Sequence, residues 1–202
     1  MHAIHTTRGF VIHSRPYGEA GKLVYIFTED FGLVVAVAQG IRLEKSKLRP
    51  FVQEYSFGIY SLVKGKEYWR LTSAQEINSI SISSASTNVI EKKSKSALIA
   101  RLALLLRRLL QGEQSHAELF GVIDSCRIFL ERAESVSDEV MSTLESVIVL
   151  RMMHTLGYVG NSGPLPEGMY SENISPEWLT SIAHTRTLLN QYINTALKES
   201  HL

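Results

Sequence analysis

Apolar and polar positions change their period once along this chain. Over the first eighty residues they recur every second position, the repeat of strands with two distinct faces. Leu23, Tyr25 and Phe27 share one face, and Val24, Ile26 and Thr28 the other. Leu33, Val35 and Val37 stand against Val34, Ala36 and Ala38, and Tyr55, Phe57 and Ile59 against Ser56, Gly58 and Tyr60. With Gly9–Ser14 and Glu67–Ala74 this predicts five strands. Turn chemistry separates them: Arg15-Pro16-Tyr17-Gly18, Asp30-Phe31-Gly32, a long link after Ala38, and Lys64-Gly65. Five short strands close either as an SH3-like or as an oligonucleotide/oligosaccharide-binding (OB) barrel. The long link between the third and fourth strands favours the OB barrel.

Beyond residue 78 the period becomes that of helices. Ser79–Asn88 is serine-rich and reads as a linker. Leu98, Leu102, Leu105 and Leu109 then form a stripe that Ile99, Leu106 and Leu110 widen, which predicts a helix apolar almost all round and central to its domain. Ser115 and Glu118 read as a capping box for a second helix with Leu119, Ile123, Cys126 and Leu130 inward. A third helix spans about Asp138–Leu156 and stops at Gly157. Ser175-Pro176-Glu177 starts a last helix carrying Trp178, Ile182, Leu189, Ile193 and Ala196. The expected class is α+β: an N-terminal five-stranded OB-fold β-barrel (residues 1–78), a linker (79–88) and a C-terminal α-helical domain (89–202).

The net charge of +1 hides an asymmetry between these halves. Up to Ile80 there are ten Lys/Arg against seven Asp/Glu, and beyond it eleven against thirteen. The barrel half is therefore the candidate anion-binding half. A single cysteine, Cys126, allows no internal disulfide and fits a reducing compartment. Met1–His5 lacks the apolar run of a signal peptide, and Leu102–Leu110, broken by Arg107 and Arg108, is far short of a membrane span. These features predict a cytoplasmic protein.

Motifs for enzymatic chemistry fail on inspection. Gly18-Glu19-Ala20-Gly21-Lys22-Leu23 lacks the glycine spacing and the hydroxyl of a phosphate loop. Gly157–Gly163 is glycine-rich but follows a helix, so it is not a dinucleotide fingerprint. His2 and His5 lie on a terminus read as mobile, and His116 has no partner at ligand spacing, so no metal or cofactor is expected. No nucleophile elbow occurs, and Cys126 sits on an apolar stripe as a small buried residue. The expectation is a non-enzyme.

One segment does point to a partner. Val34–Ala38 runs into Gly40 and then into a loop carrying Arg42, Lys45, Lys47 and Arg49 against one carboxylate, Glu44. Such a cluster repels itself unless it is solvated or holds an anion. Arg8, Arg15, Lys22, Lys64, Lys66 and Arg70 lie in the same half, interleaved with Tyr17, Tyr25, Phe51, Tyr55, Tyr60, Tyr68 and Trp69. Cationic grooves with aromatic platforms bind single strands, each stacked base contributing ~1–3 kcal/mol. Most of these aromatics must fill the barrel; of Tyr68 and Trp69, on opposite faces, one lies outside.

Together these residues resemble the RecO family of recombination mediators. The resemblance rests on Arg8–Glu19, Ile26–Gly32, Val35–Gly40 with Arg42, Lys45 and Ser46, and Leu71–Glu76, and returns at Leu150–Tyr158. It implies an OB domain followed by a helical domain, and binding of single- and double-stranded DNA. It further implies ATP-independent strand annealing, docking of RecR and of the SSB C-terminal tail, help in loading RecA, and a bacterial, nucleoid-associated location. No membrane or small-molecule substrate is implied. Many members hold zinc with cysteines after Leu-Gly-Tyr; Asn161–Tyr170 has none, and the C-terminal part reads as trimmed. An acidic tail would need cations beside an apolar groove. Arg101, Arg107, Arg108, Arg127, Arg132 and Arg151 are the candidates, and ordinary surface arginines are the alternative. An adaptor with weak DNA binding, or an RNA-binding OB protein, would share the same basic loop.

Overall fold

The computed structural model describes residues 3–77, 89–160, 164–171 and 173–199. The expected linker 79–88, His2 and the end of the glycine-rich stretch (161–163) lie outside these residues. Five strands, β1 (Ile4–Tyr17), β2 (Gly21–Thr28), β3 (Gly32–Ala38), β4 (Phe57–Val63) and β5 (Trp69–Glu76), close a barrel in the order β1-β2-β3-β5-β4. All neighbours are antiparallel except β3 and β5, which pair in parallel at Ala36–Trp69 and Val37–Arg70. This is the OB arrangement, in which the long β3–β4 link lets β5 dock beside β3.

β1 is longer than its alternation predicts. Its first half pairs with β4 and its second half with β2, and a register shift at Val11/His13 lets one strand serve both neighbours. His5 is therefore not on a mobile terminus: it lies in β1, edge-on to Phe31 at 5.3 Å and Trp69 at 5.5 Å. The period-two pattern missed this stretch because its residues sit mostly at the surface.

The chain groups into two compact units, one of residues 1–79 and 99–117 and the other of 80–98 and 118–202. In the first, the core of the barrel is Val11, Val24, Ile26, Val34, Ala36, Tyr60, Leu62, Leu71 and their neighbours. The segment after α1 (Val89–Leu109) is tied to the barrel: Leu33 N donates to Gly112 O at 3.2 Å, and the Ser115 hydroxyl donates to Glu29 O at 3.2 Å. Ser115 thus binds the β2–β3 turn, and α2 (Ala117–Arg132) begins two residues later than the expected capping box. Gly32, at φ +68°, abuts the Gln114 backbone so closely that a Cβ has no room.

In the second unit α3 (Asp138–Thr155) is the central helix. It buries residues from Val140 to Met153 on nearly every side and packs on both α4 (Pro176–Ile182) and α5 (Arg186–Glu199). The expectation that α1 is central fails, because Arg101, Leu104, Arg107 and Arg108 give it an exposed side. Ser137 caps α3, and Gly157 ends it at φ +81° with Tyr158 N donating back to Met153 O at 2.8 Å. Ser175 caps α4 through Trp178 N, as its sequence predicts, but the single last helix is two, joined by a 3₁₀ turn over Ala183–Thr185. Trp178 is only half-buried, whereas Leu179 is fully buried.

Candidate nucleic-acid interface

The β3–β4 loop is a folded plug with a charged outer surface. Ile41 and Val52 enter the barrel core, and Leu48 and Phe51 pack against it. A 3₁₀ turn at Arg49–Phe51 opens on Pro50. Both ends are clamped. Arg42 N donates to Ala20 O at 2.9 Å, tying the loop to the β1–β2 turn. Tyr55 N donates to Val11 O at 2.7 Å, and Glu54 accepts from Ser14 N at 2.7 Å and lies 3.1 Å from His13 Nδ1. Tyr55 holds a left-handed φ of +71°, the one non-glycine residue to do so among those described. Tyr60 lies fully buried beneath, its hydroxyl donating to Phe51 O at 3.2 Å, and burial pushes its pKa up to about 12. Apolar anchors of the loop therefore hold its cations at the surface, where repulsion is solvated.

Arg42, Lys45, Lys47 and Arg49 are all exposed, and none forms an ion pair among the described residues. The clamp at Ala20 brings Arg42 beside Lys22. With Arg49 these line a pocket of about 240 Å³ whose other walls are Ile41, Val52 and Gln53. Aromatic side chains stand on the same end of the barrel. Tyr17 meets Tyr68 edge-on at 5.9 Å, which brings the β4–β5 loop to the β1–β2 turn. Arg15 Nε donates to the Tyr25 hydroxyl at 3.3 Å, and Tyr25 packs on His13 at 5.5 Å. Tyr68 is the outward member of its pair, and its hydroxyl is held above its ordinary pKa first by a hydrogen bond to Glu67. Trp69 is buried, with its indole N–H donating to Glu113 at 2.8 Å. The β1–β2 and β4–β5 loops flank the strand face on which OB barrels bind oligonucleotides.

The other expected DNA-binding cations are not all equivalent. Lys66 and Arg70 are exposed without an ion pair among the described residues. Arg8 instead grips Glu29 with two bonds, at 2.8 and 2.6 Å, and this holds the Glu29 carboxyl below the usual carboxylate range. Lys64 pairs with Glu113 at 2.9 Å and lies over the Trp69 ring. Their charge is largely offset at home. Glu29 and Glu113 carry no sequence signal for this, since one is 21 and the other 49 residues from its partner.

The arginines expected to dock a partner tail divide more sharply. Arg101, Arg107 and Arg108 are exposed on α1. Arg127 is buried between Asp124 and Glu131, each at 2.6 Å. Burial opposes its charge, but the two carboxylates outweigh that and raise its pKa. Arg151 is also buried: its guanidinium donates to Met169 O at 2.5 Å and Gly168 O at 3.4 Å beneath Trp178, and burial lowers its pKa to about 10. These two are internal struts, a correction to their expected role, because both sit on inward helix faces that the arginine count does not reveal. Arg132, the last residue of α2, is exposed. Among the described residues no three His, Cys, Asp or Glu side chains gather as a metal site, and no helix is long and apolar enough to cross a membrane.

The closed β1-β2-β3-β5-β4 barrel with its cationic, aromatic end is an OB-type domain carried with a helical unit. Residues 1–80 match the family model described as Recombination protein O N terminal. The chain is 29% identical over 148 residues to the DNA repair protein RecO of Desulfitobacterium hafniense, covering 73% of this chain and 50% of that protein. The RecO proteins of Clostridium novyi and Clostridium perfringens are 28% and 29% identical over 156 and 150 residues, covering 77% and 74% of this chain and 57% of each relative. The chain thus spans about half the length of the curated relatives it matches.

Proposed function

We propose that this chain is a non-enzymatic DNA repair and recombination mediator that holds DNA on the cationic end of its barrel. It binds single and double strands, anneals complementary strands without ATP, and helps load RecA on SSB-coated DNA. The observation that supports this best is the clamped β3–β4 loop, which carries Arg42, Lys45, Lys47 and Arg49 outward and unpaired beside Lys22. Two strands repel through their phosphates, and neutralising both backbones lets complementary bases meet. Contacts of this kind position DNA without reading its sequence. Arg15, Lys66 and Arg70 extend the same surface, while Arg8 and Lys64 are held back by their carboxylates. For an SSB tail, the candidates that remain exposed are Arg101, Arg107 and Arg108 beside the exposed Leu104, and Arg132.

The test is annealing of complementary oligonucleotides by the full chain, without nucleotide or metal. Changing Arg42, Lys45, Lys47 and Arg49 to Glu should abolish it. Annealing that survives the change would refute the assignment of the loop. An adaptor that mainly docks RecR and the SSB tail is the second reading, favoured by the exposed Leu104 among arginines of α1. It predicts tight tail binding with DNA binding only at low salt.

A further inference from the structure

A flat array of cations is enough to hold a phosphate backbone. Lys22, Arg42 and Arg49 instead rim a depression with an apolar floor, made by Ile41 and Val52, which are 3% and 1% exposed. The fourth polar group at the rim is Gln53. Its Nε2 donates to Arg49 O at 2.6 Å, and a bond to a carbonyl sets which end of the amide is nitrogen. Its Oε1 meets no donor among the described residues and is left as an acceptor at the pocket. The volume, about 240 Å³, is below the roughly 300–1,000 Å³ of sites for drug-sized ligands. A phosphate beside a planar, partly apolar ring with an N–H on its edge satisfies every one of these groups, and a nucleotide is such a molecule.

We propose that this pocket takes one unstacked nucleotide of a DNA single strand, with its phosphate on Lys22, Arg42 and Arg49, its base over Ile41 and Val52, and a base N–H donated to Gln53 Oε1. This rests on the reading of the chain as a single-strand binder and adds to it a site that touches a base. A base in duplex cannot enter, because its faces are stacked and its pairing-edge donors are used; extracting it costs a few kcal/mol. The pocket therefore favours single strands over duplex, a preference that phosphate contacts alone do not supply.

The experiment compares two single strands of equal length, within the ~4–16 nucleotides an OB fold covers. One carries ordinary bases and the other is abasic throughout, so that the phosphates match. Binding of each to the full chain is read by fluorescence anisotropy. The abasic strand should bind about tenfold more weakly to the unaltered protein. Gln53→Leu, at an exposed position, and Val52→Phe, which fills the floor, should each bring that ratio to about threefold or less. Val52 lies in the core, so Gln53→Leu decides if Val52→Phe fails to fold. A ratio near one in the unaltered protein, or a tenfold ratio that persists in folded Gln53→Leu, overturns the pocket while single-strand binding stands. Failure of both strands to bind overturns the single-strand reading and the pocket with it.

Discussion

Replacing Lys22, Arg42 and Arg49 together by Gln tests whether the barrel end binds phosphates, because the structure separates these cations from those already neutralised. All three line one pocket, and none forms an ion pair among the described residues. Each phosphate contact on a single strand contributes about 0.7 to the slope of log affinity against log salt. Three lost contacts should therefore flatten the slope by about 2. Between roughly 50 and 200 mM salt, a fourfold range, the unaltered protein should lose about 20-fold more affinity than the variant. Arg8→Gln with Lys64→Gln removes two charges that Glu29 and Glu113 already face at 2.6 and 2.9 Å, and should leave the slope nearly unchanged. A salt titration of oligonucleotide binding to the three proteins reads both results. Equal slopes for the triple variant and the unaltered chain, or a steeper loss from the Arg8/Lys64 pair, would refute the reasoning.

Gly32→Ala should lower the melting temperature by several degrees, since a left-handed φ costs about 1–2 kcal/mol in a non-glycine residue and the Cβ also collides with the Gln114 backbone. Gly40→Ala shares the positive φ but meets only Leu43 Cδ1 at 3.5 Å, so its loss should be smaller; thermal melts of both compare them. Glu29 has its pKa lowered from 4.5, first by hydrogen bonding to Arg8, so its contribution is present above that value and lost as pH falls through the lower folded value. Denaturant midpoints between about pH 6 and 3 should therefore drop less in Glu29→Gln than in the unaltered protein. Cys126 is buried, and burial first pushes its thiol up to about 12, so a thiol reagent at neutral pH should label it only after denaturation.

The barrel was legible where one face of a strand is buried and the other is not. β3 shows this, with Leu33, Val35 and Val37 half-buried against Val34, Ala36 and Ala38 in the core. The first residues of β1 lacked that contrast, since Ile4 is 65% exposed, and their strand state depends on pairing with β4. The helix start at Ser175 was legible because a cap is a local hydrogen bond between residues three apart. Ser115 was not, because its partner is the carbonyl of Glu29, 86 residues away.

For the candidate site, the chain alone determined that a cluster of cations follows the third strand of a five-stranded barrel and that aromatics accompany it. Those properties are written in residue type and spacing. Which cations are free was decided by tertiary structure. Glu29 neutralises Arg8, Glu113 neutralises Lys64, and helix faces bury Arg127 and Arg151, through neighbours that are distant in sequence or inward by rotation of a helix. The pocket is likewise tertiary: Lys22 and Arg42 meet because Arg42 N reaches back to Ala20 O, and Ile41 and Val52 form its floor because the barrel core draws them in. Charge is a property of single residues, whereas its availability to a ligand depends on what the fold places beside it.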